Sequence, residues 1–256
     1  MTSERRPNRG FEPARVRLLA SVMSESEARL AAVAGADIID AKDPASGALG
    51  ALSIDTVCAI RATVPAHIPV SATIGDLPMT PAAVTGAAGR MAATGVDIVK
   101  IGLFPGELSR EASLSTIEAL GALAKRTKLV AVMLADLAPN FDFIAPLAQA
   151  GFCGVMLDTA GKSGKTLLDH LTPSDLKEFL HEARSLGLMS GLAGSLRASQ
   201  IPELVALRPD VLGFRGALCK AHDRKSSLDP DAIRAIRSAI ANPPLLAANL
   251  ELERTP

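Results

Sequence analysis

Short apolar runs recur along the chain, separated by segments of helical period. The runs are "VRLLASV" (16–22), "DIIDAK" (37–42), "IPVSATI" (68–74), "VDIVKIG" (96–102), "LVAVML" (129–134), "FCGVMLD" (152–158), "LMSGLAG" (188–194) and "DVLGFRG" (210–216). Their length and composition predict β-strands, and the segments 24–34, 81–94, 109–126, 173–186 and 229–240 predict amphipathic helices. Helix starts are marked by Ser24, by Thr172 before Pro173 and by Asp229 before Pro230, residues that cap the first free N–H groups. The stretches "AGAD", "TGVD" and "AGFC" put a glycine where a helix should close and a strand begin. Eight strands alternating with helices predict a parallel sheet. At 256 residues the fitting architecture is a single-domain (β/α)8 TIM barrel. An open doubly wound sheet is the alternative, and the lack of GxGxxG after the first strand counts against it. The expected boundaries are a disordered extension over 1–14, the barrel over 15–241 and a tail over 242–256. The leucines of the tail either cover the barrel or a neighbouring subunit, or the tail is loosely attached.

Composition narrows the function. Apolar residues make up 48% of the chain, enough for a large core. The 27 basic and 27 acidic residues cancel, so the basic footprint of a nucleic-acid binder is missing. With no Trp or Tyr, stacking on bases is not expected either. Cys58, Cys153 and Cys219 are scattered and form neither a disulfide framework nor a zinc motif, which points to a reducing, cytoplasmic setting. The four histidines lack metal-ligand spacing, so no metal is expected. "VRLLASVM" is too short to span a membrane, and no membrane association is expected.

Candidate chemistry lies where the strands end, because barrel active sites form at that face. The second strand ends in Asp40 and Lys42, which share a side with Ile38 by the period of two. The fourth ends in Lys100. The sixth ends in Asp158, followed by "TAGKSGKT" with Lys162 and Lys165. Burying an ammonium costs several kcal/mol unless it is paired. Two strand lysines with two aspartates at one barrel end therefore point to function, against the plainer reading of lysines reaching water from the strand ends. A lysine in a partly dry pocket can attack a carbonyl and form an imine, with carboxylates moving protons. After the seventh and eighth strands, Gly194, Ser195, Arg215 and Gly216 are the candidate phosphate site, against the reading of ordinary glycine turns. "AGKSGKT" is no phosphate loop, since Thr159 and Met156 stand where that motif needs its first glycine. Asp76 either lines the pocket or makes an Asx turn before Pro78.

The stretches "LLASV", "GADIIDAKDPASGALGA", "PVSATIGDLP", "GVDIVKIGL" and "MLDTAGKSGKTLLDHL" together resemble the (5-formylfuran-3-yl)methyl phosphate synthase family, also called 4-(hydroxymethyl)-2-furancarboxaldehyde-phosphate synthase. The resemblance covers residues 16 to 240. It implies a (β/α)8 barrel that makes a furan aldehyde phosphate from two molecules of glyceraldehyde 3-phosphate, without a cofactor. The product would serve methanofuran synthesis in methanogens or methylofuran synthesis in methylotrophic bacteria. The resemblance assigns the Schiff base to Lys42 with Asp40 beside it, and adds Lys100, Asp158 and Lys162 as catalytic positions. Asp40 and Asp158 would shuttle protons, while Lys100 and Lys162 would hold phosphate or tune the amine of Lys42. The region after the fifth strand, "AVMLADLAPNFDF", departs from the family pattern and leaves any residue there unassigned. A homo-oligomer is expected. Two other readings stay open: a class I aldolase acting on another sugar phosphate, and a non-catalytic barrel that binds a phosphorylated metabolite.

Overall fold

The computed structural model describes residues 15–104, 109–161 and 164–243. The expected N-terminal extension, most of the tail and Lys162 lie outside the described residues. Eight parallel strands close into a barrel in chain order: β1 (Arg17–Val22), β2 (Ile38–Ala41), β3 (Val70–Thr73), β4 (Ile98–Leu103), β5 (Lys128–Leu134), β6 (Gly154–Asp158), β7 (Met189–Leu192) and β8 (Val211–Phe214). Every expected run holds one of them. The ring is completed by pairing of β1 with β8. Helices α1 (Glu25–Val33), α2 (Ile54–Thr63), α3 (Pro81–Ala92), α4 (Arg110–Ala124), α5 (Ile144–Gln149), α6 (Pro173–Ser185), α7 (Ile201–Ala206) and α8 (Pro230–Ala241) follow the strands one by one. None of them is long and apolar enough to cross a membrane.

The caps expected from the sequence form. Ser24 accepts the Glu27 N–H, Thr172 accepts the Asp175 N–H, and Asp229 accepts the Asp231 N–H. Gly95, the glycine of "TGVD", turns the chain from α3 into β4 with φ of 82°. Helices α5 and α7 span six residues each, under two turns, too short for the period of 3.6 to declare itself.

Alternation along the strands sorts the core into two layers. Leu18, Ala20, Ile39, Ala41, Val99 and Ile101 face the helices in one cluster. Leu19, Ile38, Ile98, Val130, Val132, Met156 and Val211 fill the barrel interior in another. A large Met156 fits there because Gly191, its partner on the neighbouring strand β7, has no side chain. A Cβ at Gly191 would stand 2.5 Å from Met156 Cγ.

At the N-terminal end of the barrel a repeated device sets the register. Asp37, just before β2, donates its N–H to the Leu18 carbonyl at 2.9 Å and accepts the Leu18 N–H at 2.9 Å. Asp97 does the same to Val70 before β4, and Asp210 to Ser190 before β8. Before β6 the equivalent residue is Cys153, whose N–H and thiol both donate to the Leu129 carbonyl. The aspartates of "AGAD" and "TGVD" and the cysteine of "AGFC" thus occupy one structural position.

The interior packing gives a direct test. Gly191→Ala is expected to lower stability by about 1–3 kcal/mol, the usual cost of overpacking, in urea or thermal unfolding. Trimming the opposing side chain with Met156→Val should restore part of the loss. An unchanged midpoint for Gly191→Ala would show that Met156 does not hold this space.

Candidate active site

The period-two geometry places Asp40, Lys42, Lys100 and Asp158 inside the barrel at its C-terminal end, where all four line one cavity of about 630 Å³. That size falls within the range of small-molecule sites, about 300–1,000 Å³.

The deepest layer is built by register. Ser21 of β1 and Ser71 of β3 both stand beside Asp40 of β2. Ser71 Oγ donates to Asp40 Oδ1 at 2.6 Å, and Ser21 Oγ donates to Oδ2 at 3.1 Å. Lys100 of β4 reaches across and donates to Asp40 Oδ2 at 3.0 Å. Asp40 is fully buried and Lys100 is 3% exposed. Opposite charge and two hydroxyl donors compensate a carboxylate that water cannot reach.

Nearer the mouth, Lys42 Nζ donates to Asp158 Oδ2 at 2.8 Å. This pair joins β2 to β6 and is 8% exposed at each residue. Asp158 Oδ1 accepts the N–H of Thr159 at 2.8 Å, which fixes the carboxylate plane. The expected set is therefore brought together as two ion pairs, Lys42 with Asp158 and Lys100 with Asp40. Lys162, expected beside them, lies outside the described residues.

The loops around the cavity are held by carboxylates that sequence reasoning did not assign. Asp76 neither lines the cavity nor turns before Pro78. It accepts the N–H groups of Ala48 and Leu49 at 2.7 Å each, and so clamps the loop that follows Lys42. Asp136, after β5, accepts the N–H groups of Ala160 at 2.7 Å and Gly161 at 2.5 Å, clamping the loop that follows Asp158. Partial burial alone would raise the Asp136 pKa, but these hydrogen bonds outweigh it and lower the value. This residue stands in the stretch "AVMLADLAPNFDF" left open by the sequence.

On the phosphate side, Gly194, Ser195, Arg215 and Gly216 all line the cavity. Ser195 sits in the left-handed region with φ of 50°, a conformation that costs a non-glycine residue about 1 kcal/mol or more. Arg215, expected as a phosphate ligand, directs its guanidinium to protein groups. Its Nε donates to the Arg224 carbonyl, its Nη1 to the Ser21 carbonyl and Glu27, and its Nη2 to Glu27 and the Ser226 carbonyl. These bonds commit all of the guanidinium N–H groups, the strongest being the 2.6 Å contact with Glu27 Oε2. Arg215 ties β8 to α1 and holds up the loop that follows. Arg197 and Arg224 line the same cavity without such a pairing. Residues 215–229 form a long polar loop at the functional face, and that length is the signal by which Arg224 could have been suspected. Among the described residues no group of His, Cys, Asp or Glu could hold a metal ion.

Comparison with known proteins identifies the family. The family model described as 4-HFC-P synthase matches residues 18–237. A (5-formylfuran-3-yl)methyl phosphate synthase of Methanocaldococcus jannaschii is 37% identical over 86% of this chain and 97% of its own. The synthase of the same name from Methanopyrus kandleri is 37% identical over 89% of this chain and 100% of its own. A Methylorubrum extorquens protein, provisionally named for the same activity, is 44% identical over 88% of this chain and 93% of its own. Among solved structures, 3-hexulose-6-phosphate synthase from Salmonella typhimurium superposes with a TM-score of 0.63 at 18% identity, covering 88% of this chain and 99% of that one. Phosphoribosyl anthranilate isomerase from Thermus thermophilus gives 0.61 at 16% identity, covering 88% and 98%. At those identities the structural likeness is one of fold. The family match and the relatives, both spanning most of the chain, establish that this chain belongs to the 4-HFC-P synthase family, the (5-formylfuran-3-yl)methyl phosphate synthases.

Proposed function

We propose that this protein is a lyase that condenses two molecules of glyceraldehyde 3-phosphate into 4-(hydroxymethyl)-2-furancarboxaldehyde phosphate through an imine on Lys42. The observation that carries the reading is the Lys42–Asp158 pair, 2.8 Å apart and almost closed to solvent at the barrel mouth. The atoms balance: two triose phosphates supply six carbons, and loss of one phosphate and two waters leaves the furan aldehyde phosphate. No oxidation state changes overall, so no redox cofactor is required.

The pairing suits imine chemistry. Asp158 Oδ2 takes a proton from the Lys42 ammonium along their hydrogen bond, freeing the lone pair to attack a carbonyl carbon. The same carboxylic acid returns that proton to the carbinolamine oxygen, a second proton passes from the former lysine nitrogen through the same carboxylate, and the oxygen leaves as water. The resulting iminium acidifies the adjacent C–H bond, the Asp158 carboxylate takes that proton, and the enamine can expel phosphate or attack the second aldehyde. Ring closure and dehydration give an aromatic furan, whose stability pulls the sequence forward. Asp40 has a different task in this scheme. Its oxygens are held by Ser21, Ser71 and Lys100, so it fixes the Lys100 ammonium as a stationary positive charge beneath the substrate. That charge suits a phosphate or a developing oxyanion.

The first experiment is borohydride reduction in the presence of glyceraldehyde 3-phosphate, followed by peptide mass mapping. A reduced adduct on the peptide holding Lys42, lost in Lys42→Ala, is expected. An adduct on another lysine, or normal turnover by Lys42→Ala, would overturn the assignment. An ultraviolet scan of the same mixture separates the furan aldehyde from the open-chain product of a class I aldolase, because only the former is conjugated.

The two pairs should also differ in what their loss does. Asp40→Ala leaves Lys100 buried without its counter-ion and is expected to cost about 3–5 kcal/mol of stability in denaturant titration. Asp158→Asn, nearer the mouth, should cost less stability and reduce imine trapping at Lys42 by about 100-fold or more. Equal stability losses with intact trapping would argue that both pairs are structural.

A further inference from the structure

The charges around the cavity fall into ion pairs and a remainder. Lys42, Lys100 and Arg215 are matched by Asp158, Asp40 and Glu27. The remainder includes Arg224, in the loop after β8. Its Nη2 donates to the carbonyl of Pro44, two residues beyond Lys42. Among the described residues this is its one side-chain hydrogen bond, and it forms no ion pair. A guanidinium carries five N–H donors, so most of those of Arg224 are available to the cavity that it lines. Burial, with the neighbouring charge of Arg215, lowers its pKa, so the cation has lost part of its hydration, while the charges of Asp158 and Asp43 partly offset this. The backbone there is braced: Arg215 donates to the Arg224 carbonyl on one side and to Ser226 on the other. The preceding turn holds Ala221 and His222 in the left-handed region, with φ of 52° and 56°.

We propose that Arg224, rather than Arg215, is the guanidinium arm of a phosphate-monoester subsite at the cavity mouth. The subsite holds the phosphate of the substrate whose carbonyl meets Lys42. This inference rests on the reading of the cavity as one that takes a phosphorylated substrate. Because Pro44 closely follows Lys42 in the chain, a phosphate on Arg224 lies beside the loop that carries the proposed nucleophile. The fork geometry of the guanidinium matches two phosphate oxygens at once, which a lysine cannot reproduce.

The test uses inorganic phosphate as the probe and does not depend on turnover. The wild-type protein is labelled with phenylglyoxal, with and without phosphate, and arginine peptides are mapped by mass spectrometry. Phosphate is expected to protect Arg224, while Arg215 stays unreactive in both samples and the exposed Arg29 is labelled in both. Phosphate affinity, measured by calorimetry, should fall about 10- to 100-fold in Arg224→Gln and by less in Arg224→Lys. Equal labelling of Arg224 with and without phosphate, protection of Arg197 alone, or unchanged affinity in Arg224→Gln would overturn the proposal. If Arg224→Gln fails to fold, the wild-type labelling and Arg224→Lys still decide. Protection of Arg224 without imine trapping at Lys42 would keep this subsite and remove the synthase mechanism. Trapping without protection would do the reverse.

Discussion

Asp40 carries a charge at a point in the barrel that water does not reach. In such a place a carboxylate without partners costs several kcal/mol, more than most single interactions can return. Its compensation requires Ser21 on one neighbouring strand, Ser71 on the other and Lys100 one strand further on. Those groups meet only if β1, β2, β3 and β4 hold one register, since a slip of one residue would turn each side chain to the opposite face. The register that satisfies Asp40 also carries Lys42 to the cavity, two residues along the same face. Fold and candidate chemistry therefore share a constraint: the buried charge is tolerable in one alignment, and that alignment presents the amine.

The barrel was legible because its signals are local and repeated. Eight apolar runs, three caps and glycines at helix ends each state the same architecture, and each has a strand or helix beneath it. The lysines were legible for a physical reason: an ammonium at an inward position of a strand is costly, so it attracts notice. Ser21 and Ser71 share that inward parity but are small and neutral, and passed as ordinary strand residues. Pairing could not be read at all. Nothing in the chain says that Lys42 meets Asp158, 116 residues away, rather than its near neighbour Asp40. The partner of Arg215 was hidden for a related reason. Its sequence position fits a phosphate ligand, and nothing nearby in the chain points to Glu27, 188 residues distant and in the first helix.

The carboxylates of this chain can be sorted by what donates to them. Asp37, Asp97 and Asp210 accept backbone N–H groups of the preceding strand and fix its start. At the opposite end Asp76 and Asp136 also accept backbone N–H groups, but from loops, and so they shape the rim of the cavity. A backbone donor cannot give up its proton, so a carboxylate held that way can position but cannot exchange protons with its partner. Asp40 and Asp158 differ, because an ammonium is the donor to each. Of these two, Asp40 is hemmed in by hydroxyls and closed to water, while Asp158 faces the mouth with an oxygen on Lys42. Donor type and access together favour Asp158 as the acid and base of the proposed mechanism. They place Asp76 and Asp136 one step behind it, as the residues that hold the two loops that follow Lys42 and Asp158.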